Sequence, residues 1–151
     1  METVIRILLL VLALLFLGGC GLGDWEYELI GGYAIVRCNS EDILLTHREA
    51  EDAGGTVVLP NYRVTAACTN ERYIGIQAIR YKGLAESDKG ILIGESAFYL
   101  ADAINHEVYG PFASQTEYDA KCSELSAGDM ESWRTTEELA AAAYQQKRKG
   151  E

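Results

Sequence analysis

Between Trp25 and Phe112 the apolar residues recur at every second position in short bursts, and most joins between bursts are too brief for a crossover helix. Trp25, Tyr27 and Leu29 alternate with Glu26 and Glu28, and Tyr33 to Cys38 follows across Gly31-Gly32, a turn pair that reads as a β-hairpin. Ile43 to His47, Thr56 to Leu59, Tyr62 to Thr69, Tyr73 to Arg80 and Ala97 to Asp102 continue the pattern, each rich in Val, Ile, Tyr or Thr. Asn70-Glu71-Arg72 is short enough to join its flanking strands antiparallel, so the pattern predicts a meander and not a parallel sheet. Two longer connections, Arg48 to Gly55 and Tyr81 to Gly90, are charged and glycine-bearing and read as solvated surface loops. In Val108-Tyr109-Gly110-Pro111 the proline has no N–H to give to a ladder, which makes Phe98 to Phe112 a last hairpin at a sheet edge.

The period then changes. Ser114 and Glu117 form an S-x-x-E capping box, and Tyr118, Cys122 and Leu125 follow on one helical stripe. Thr135 and Glu138 repeat the box ahead of a narrower stripe, Leu139, Ala140, Ala143 and Tyr144, which ends in Lys147-Arg148-Lys149, charges suited to a helix C-terminus. The fold class expected is α+β: a mainly antiparallel sheet of about six to eight short strands, then one or two C-terminal helices. Residues 25–128 read as a β-rich globular domain with a helix near 115–125, and 129–151 as a C-terminal helical extension, loosely attached because its stripe has little to bury.

Ahead of this body, Ile7 to Leu17 is an unbroken apolar run, followed by Gly18-Gly19-Cys20. A helix needs about 20 apolar residues to cross a bilayer, so the run fits the core of a secretory signal over 1–19. Leu17-Gly18-Gly19-Cys20 resembles the bacterial lipobox, with cleavage between Gly19 and Cys20. Small residues leave the backbone open to a peptidase, and a thiolate is the side-chain nucleophile suited to forming the thioether to diacylglycerol. Two or three acyl chains hold a protein on a membrane where one does not. Residues 20–24 then form the lipidated Cys and a short tether. The address expected is the cell envelope: the outer membrane or periplasmic side in a Gram-negative host, where Gly21 in place of Asp leans outward, and the outer face of the plasma membrane otherwise.

Lys and Arg number 13 against 23 Asp and Glu, a formal charge of −10, which repels nucleic acid and excludes it as a partner. With Cys20 acylated, three cysteines remain in an oxidising compartment. Cys38 continues the Ala34 and Val36 register and Cys68 that of Val64 and Ala66, so both are expected to face the same apolar layer and a Cys38–Cys68 disulfide is possible. Cys122 reads as a small buried hydrophobe. His47 and His106 lie far apart in sequence on different elements, and with no C-x-x-C this gives no metal site and implies no cofactor.

Gly94-Glu95-Ser96-Ala97-Phe98 begins like a nucleophile elbow without its last glycine, so Ser96 reads as strand-edge polarity. Asp102 and His106 share a hairpin loop, an arrangement that could orient an imidazole but more often closes a turn. Glu26 and Glu28 form the wet face of a strand, and Glu49, Glu51 and Asp52 lack the spacing of a calcium loop. No catalytic residue is assigned. Nine tyrosines and two tryptophans serve core or partner contact.

The lipobox Cys20, Gly31-Gly32-Tyr33 leading a strand, the strand Phe98 to Asp102, and Val108-Tyr109-Gly110-Pro111 before an acidic helix start together resemble a family of small uncharacterised bacterial lipoproteins, a domain of unknown function. The cysteines at 38, 68 and 122 and the helix after Trp133 are additions to that pattern. The resemblance implies location and fold and brings no catalytic residue.

The function expected is therefore a lipid-anchored, non-enzymatic protein-interaction domain, with the membrane and an unknown protein as partners. The alternative is an inhibitor or immunity-type lipoprotein neutralising a basic enzyme or toxin. A small hydrolase built on Asp102 and His106 comes third.

Overall fold

The computed structural model describes residues 24–39, 42–50, 53–81 and 92–149. Cys20, the expected signal and most of the Tyr81 to Gly90 connection lie outside these residues, as do Glu51 and Asp52. Among the described residues nine strands form two antiparallel sheets and two helices lie within the C-terminal third, an α+β fold that is mainly β. Among the described residues no helix is long and apolar enough to cross a membrane.

Sheet 1 runs β1 (Trp25–Glu28), β2 (Tyr33–Arg37), β3 (Ile43–His47) and β4 (Thr56–Val57) in sequence order. Its register puts Tyr27, Ile35 and Leu45 in one row and Tyr33 opposite His47 in another. Alternation sends Trp25, Tyr33, Ile35, Ile43 and Leu45 inward, all buried, while Glu26 and Glu28 stay exposed on the other face.

Sheet 2 has the order β8-β7-β6-β5-β9, from β5 (Tyr62–Thr69), β6 (Tyr73–Tyr81), β7 (Leu92–Asp102), β8 (Glu107–Phe112) and β9 (Arg134–Thr135). β7 starts five residues before the expected Ala97, at Leu92, because it bulges between Leu92 and Ser96, where four steps of β7 stand against two of β6, and pairs again with Tyr81. β8 is an edge strand, as the Pro111 argument requires, and the Gly110-Pro111 bond is cis.

The two sheets share one core. Ile74, Ile76 and Ala78 of β6 and Tyr99 and Ala101 of β7 pack with the inward residues of sheet 1. The opposite face of sheet 2 carries Tyr73, Phe98 and Leu100 and is covered by α1 (Gln115–Glu124) through Tyr118, with Ala127 and Trp133 beyond it. This face needs a glycine at one point: a Cβ on Gly75 would lie 2.6 Å from Cys68 Sγ and would overlap the Tyr118 hydroxyl.

Both helix starts are capped as the sequence indicates. Glu117 N–H donates to Ser114 Oγ at 3.3 Å, although Glu117 Oε2 receives Ala113 N–H and not the Ser114 amide. At α2 (Thr136–Lys149) the box is reciprocal, with Thr135 N–H donating to Glu138 Oε2 at 2.7 Å and Glu138 N–H to Thr135 Oγ1 at 3.4 Å. The expectation of a loosely attached second helix is corrected: Leu139 is 1% exposed and Ala143 5%, both inside the main core. A narrow stripe suffices because α2 packs on β1 and β5, at the open side between the sheets.

Candidate functional site

Gly31 and Gly32 both have positive φ, 61° and 79°, the backbone this tight turn demands. Side chains are excluded there for a second reason. A Cβ on Gly31 would stand 2.7 Å from the Ala103 carbonyl oxygen, and one on Gly32 would overlap that of Arg48. The bare turn thus lets the β7–β8 connection close onto the end of sheet 1.

That closure joins His47, the last residue of β3, with His106, the last residue of the β7–β8 turn. Their ring centroids lie 4.6 Å apart, tilted by 47°. Tyr33 completes the group, 4.5 Å from His47 and 6.2 Å from His106 in a stacked arrangement. The two histidines, far apart in sequence and on different elements, are thus brought together by sheet packing. His106 is held at φ 57°, an uncommon conformation for a residue with a Cβ.

Asp102 fixes this turn. Its carboxylate, 1% exposed, accepts from Arg72 Nη2 at 2.6 Å, Arg72 Nε at 3.1 Å, Ile104 N–H at 2.9 Å, Asn105 N–H at 3.1 Å and Asn105 Nδ2 at 3.0 Å. The Arg72 hydrogen bonds hold the carboxyl well below its ordinary range, at about 2, with the backbone donors adding to them and burial opposing. His106 meets Asp102 only through the backbone, its N–H donating to the Asp102 carbonyl at 2.9 Å. The carboxylate thus closes the turn and does not orient the imidazole.

The three rings border an open cavity of about 690 Å³, which Glu26, Glu28, Arg48 and Glu49 also line. Arg48 Nη2 donates to Glu26 Oε1 at 2.8 Å, an ion pair about a third exposed on each side. Tyr33 is 3% exposed, yet its hydroxyl has no hydrogen-bond partner among the described residues. No described side-chain polar atom is both sealed from solvent and unpartnered, so this hydroxyl reaches accessible space. Burial first, and the Asp102 charge second, push the phenol pKa up and keep its proton on. The imidazole nitrogens of His47 and His106 and the carboxylates of Glu28 and Glu49 are likewise unengaged by described residues.

The other sequence candidates are dispersed. The Cys38–Cys68 disulfide is not formed: Cys38 is exposed just beyond β2, whereas Cys68 is buried in sheet 2 against Tyr118 Oη at 3.8 Å. A bulge between Val64 and Ala66 breaks the alternation, so Cys68 falls on the α1 face of sheet 2, away from sheet 1. Cys122 is partly buried in the α1 cluster beside Tyr118. Ser96 is exposed on β7. Among the described residues no group of three or more His, Cys, Asp or Glu is arranged to hold a metal ion.

The fold and site define a two-sheet α+β domain with an open polar cavity at one end. Comparison of the chain with protein-family models, curated proteins and solved structures gave no match.

Proposed function

We propose that this chain is a lipid-anchored protein of the cell envelope, attached through Cys20, that acts without catalysis by holding a partner protein at the Tyr33–His47–His106 cavity. The anchor rests on the lipobox resemblance at Leu17 to Cys20 and on the short tether before β1. One observation carries the binding role: a phenol and two imidazoles border a cavity with their polar atoms unengaged by described residues, beside two carboxylates in the same condition. Polar groups left open in this way are what an incoming ligand satisfies.

Globomycin treatment with palmitate labelling tests the anchor. Labelled mature protein should disappear and the uncleaved precursor accumulate. Capture of partners from a solubilised envelope fraction tests the site: His106→Ala and Tyr33→Phe should each release a partner that the unsubstituted protein retains.

The −10 charge favours a second reading in which the partner is a basic enzyme or toxin that this protein neutralises. Capture would then collapse between low and moderate salt.

A further inference from the structure

Among the described residues, arginine and lysine side chains settle on tyrosine rings in three places. Arg134 lies 5.4 Å from the Tyr27 centroid and donates from Nη1 to its hydroxyl at 2.7 Å. Lys121 lies 4.8 Å from the Tyr109 ring and Arg72 5.0 Å from that of Tyr73. A ring face attracts a cation through its quadrupole, and a phenol oxygen accepts from it. Tyr33 has no such partner among the described residues: its ring is flanked by two imidazoles, and no described residue bonds its hydroxyl.

We propose that the cavity receives a cationic side chain, an arginine or a lysine, from the bound partner; the inference rests on the cavity being the contact site.

Charge supports this occupant. Arg48, the only Arg or Lys among the described lining residues, is already paired with Glu26, which leaves Glu28 and Glu49 as net negative charges. An anionic ligand would meet those carboxylates with no unpaired guanidinium among the described lining residues to offset them. An apolar ligand would strand the Tyr33 hydroxyl and the imidazole nitrogens. A guanidinium carries donors only, and the lining offers it three acceptor groups: the Glu28 and Glu49 carboxylates and the Tyr33 phenol oxygen. At about 690 Å³ the space also admits the backbone flanking such a side chain.

The test follows the imidazole ring protons of His47 and His106 by NMR in the full mature chain, titrated with acetyl-tri-arginine amide. The neutral isostere tri-citrulline and tri-glutamate serve as controls. Tri-arginine should give saturable shifts at both histidines and the controls none. Glu28→Gln with Glu49→Gln should weaken it on the order of fivefold or more, since each removes a charge at the cavity. Both glutamates are exposed, so the double variant should fold, which its unchanged remaining spectrum will verify. Absence of tri-arginine shifts, equal shifts from tri-citrulline, or indifference to the double substitution would overturn the proposal. If that happens while His106→Ala still releases the partner in the capture experiment, only the ligand class falls. If His106→Ala and Tyr33→Phe both retain the partner, the cavity's role as contact site falls with it.

Discussion

Arg72 grips a single oxygen of Asp102 with two donors, Nη2 at 2.6 Å and Nε at 3.1 Å, while Ile104 and Asn105 amides hold the other oxygen. The arrangement ties the β5–β6 turn to the β7–β8 turn, and the latter presents His106 to the cavity. A stability element thus also sets the geometry of the candidate site.

Asp102→Asn should cost about 2–3 kcal/mol, below the full penalty for breaking a buried pair, because Arg72 is 44% exposed and can return to water. The wild-type carboxyl titrates at about 2 against an ordinary 3.8, so its contribution is present above about pH 4 and is lost as pH falls toward 2. Urea midpoints measured across pH 2 to 7 should drop over that acid window in the wild type. The Asn variant should lack this part of the drop.

Gly32→Ala should destabilise by about 2 kcal/mol or more, since φ is 79° and the new Cβ overlaps the Arg48 carbonyl. Gly54→Ala is the matched control: no described residue lies within 4 Å of its Cβ position, and its stability should change by less than about 0.5 kcal/mol. Thermal melts of the two variants should separate clearly. In Gly32→Ala the His106 ring resonances should also move, because Gly32 abuts the cavity wall.

Leu139→Ala should cost about 2–5 kcal/mol, the range for truncating a fully buried leucine. Tyr144→Ala, on the same helix but 50% exposed, should cost far less, about 0.5 kcal/mol. Equal losses, or none in either, would contradict the docking of α2 in the main core. Chemical denaturation followed by tryptophan fluorescence is suited to the measurement, because Trp25 belongs to the same cluster.

Thiol reactivity should follow burial. Cys38 is exposed and should react first with a disulfide reagent, though more slowly than a free thiol because partial burial, with Asp42 and Asp24 nearby, raises its pKa. Cys68 is pushed up to about 11, chiefly by burial, and should react only when the protein unfolds. Timed labelling at pH 8 with mass spectrometry resolves the order. Early modification of Cys68 would refute its placement under α1.

The Tyr33–His47 pairing was within reach of sequence reasoning. The two residues are equidistant from the centre of the 38–42 connection, and a hairpin folded there sets them opposite each other. Nothing comparable points to His106, whose approach depends on how two separate sheets pack. The Cys68 assignment failed for a related reason: one extra residue at the Val64–Ala66 bulge reverses every facing after it, and a bulge leaves no mark in an alternating pattern.

Sequence alone determined what depends on neighbouring residues: antiparallel strands from period-two alternation and short joins, the Gly31-Gly32 turn, and the helix starts at Ser114 and Thr135. Tertiary structure decided which face of sheet 2 meets sheet 1, that Leu139 fills the gap between them, and that Tyr33, His47 and His106 share one cavity. Local patterns record how a residue sits in its own element. Contacts between elements arise from the shape of surfaces that exist only once both are built.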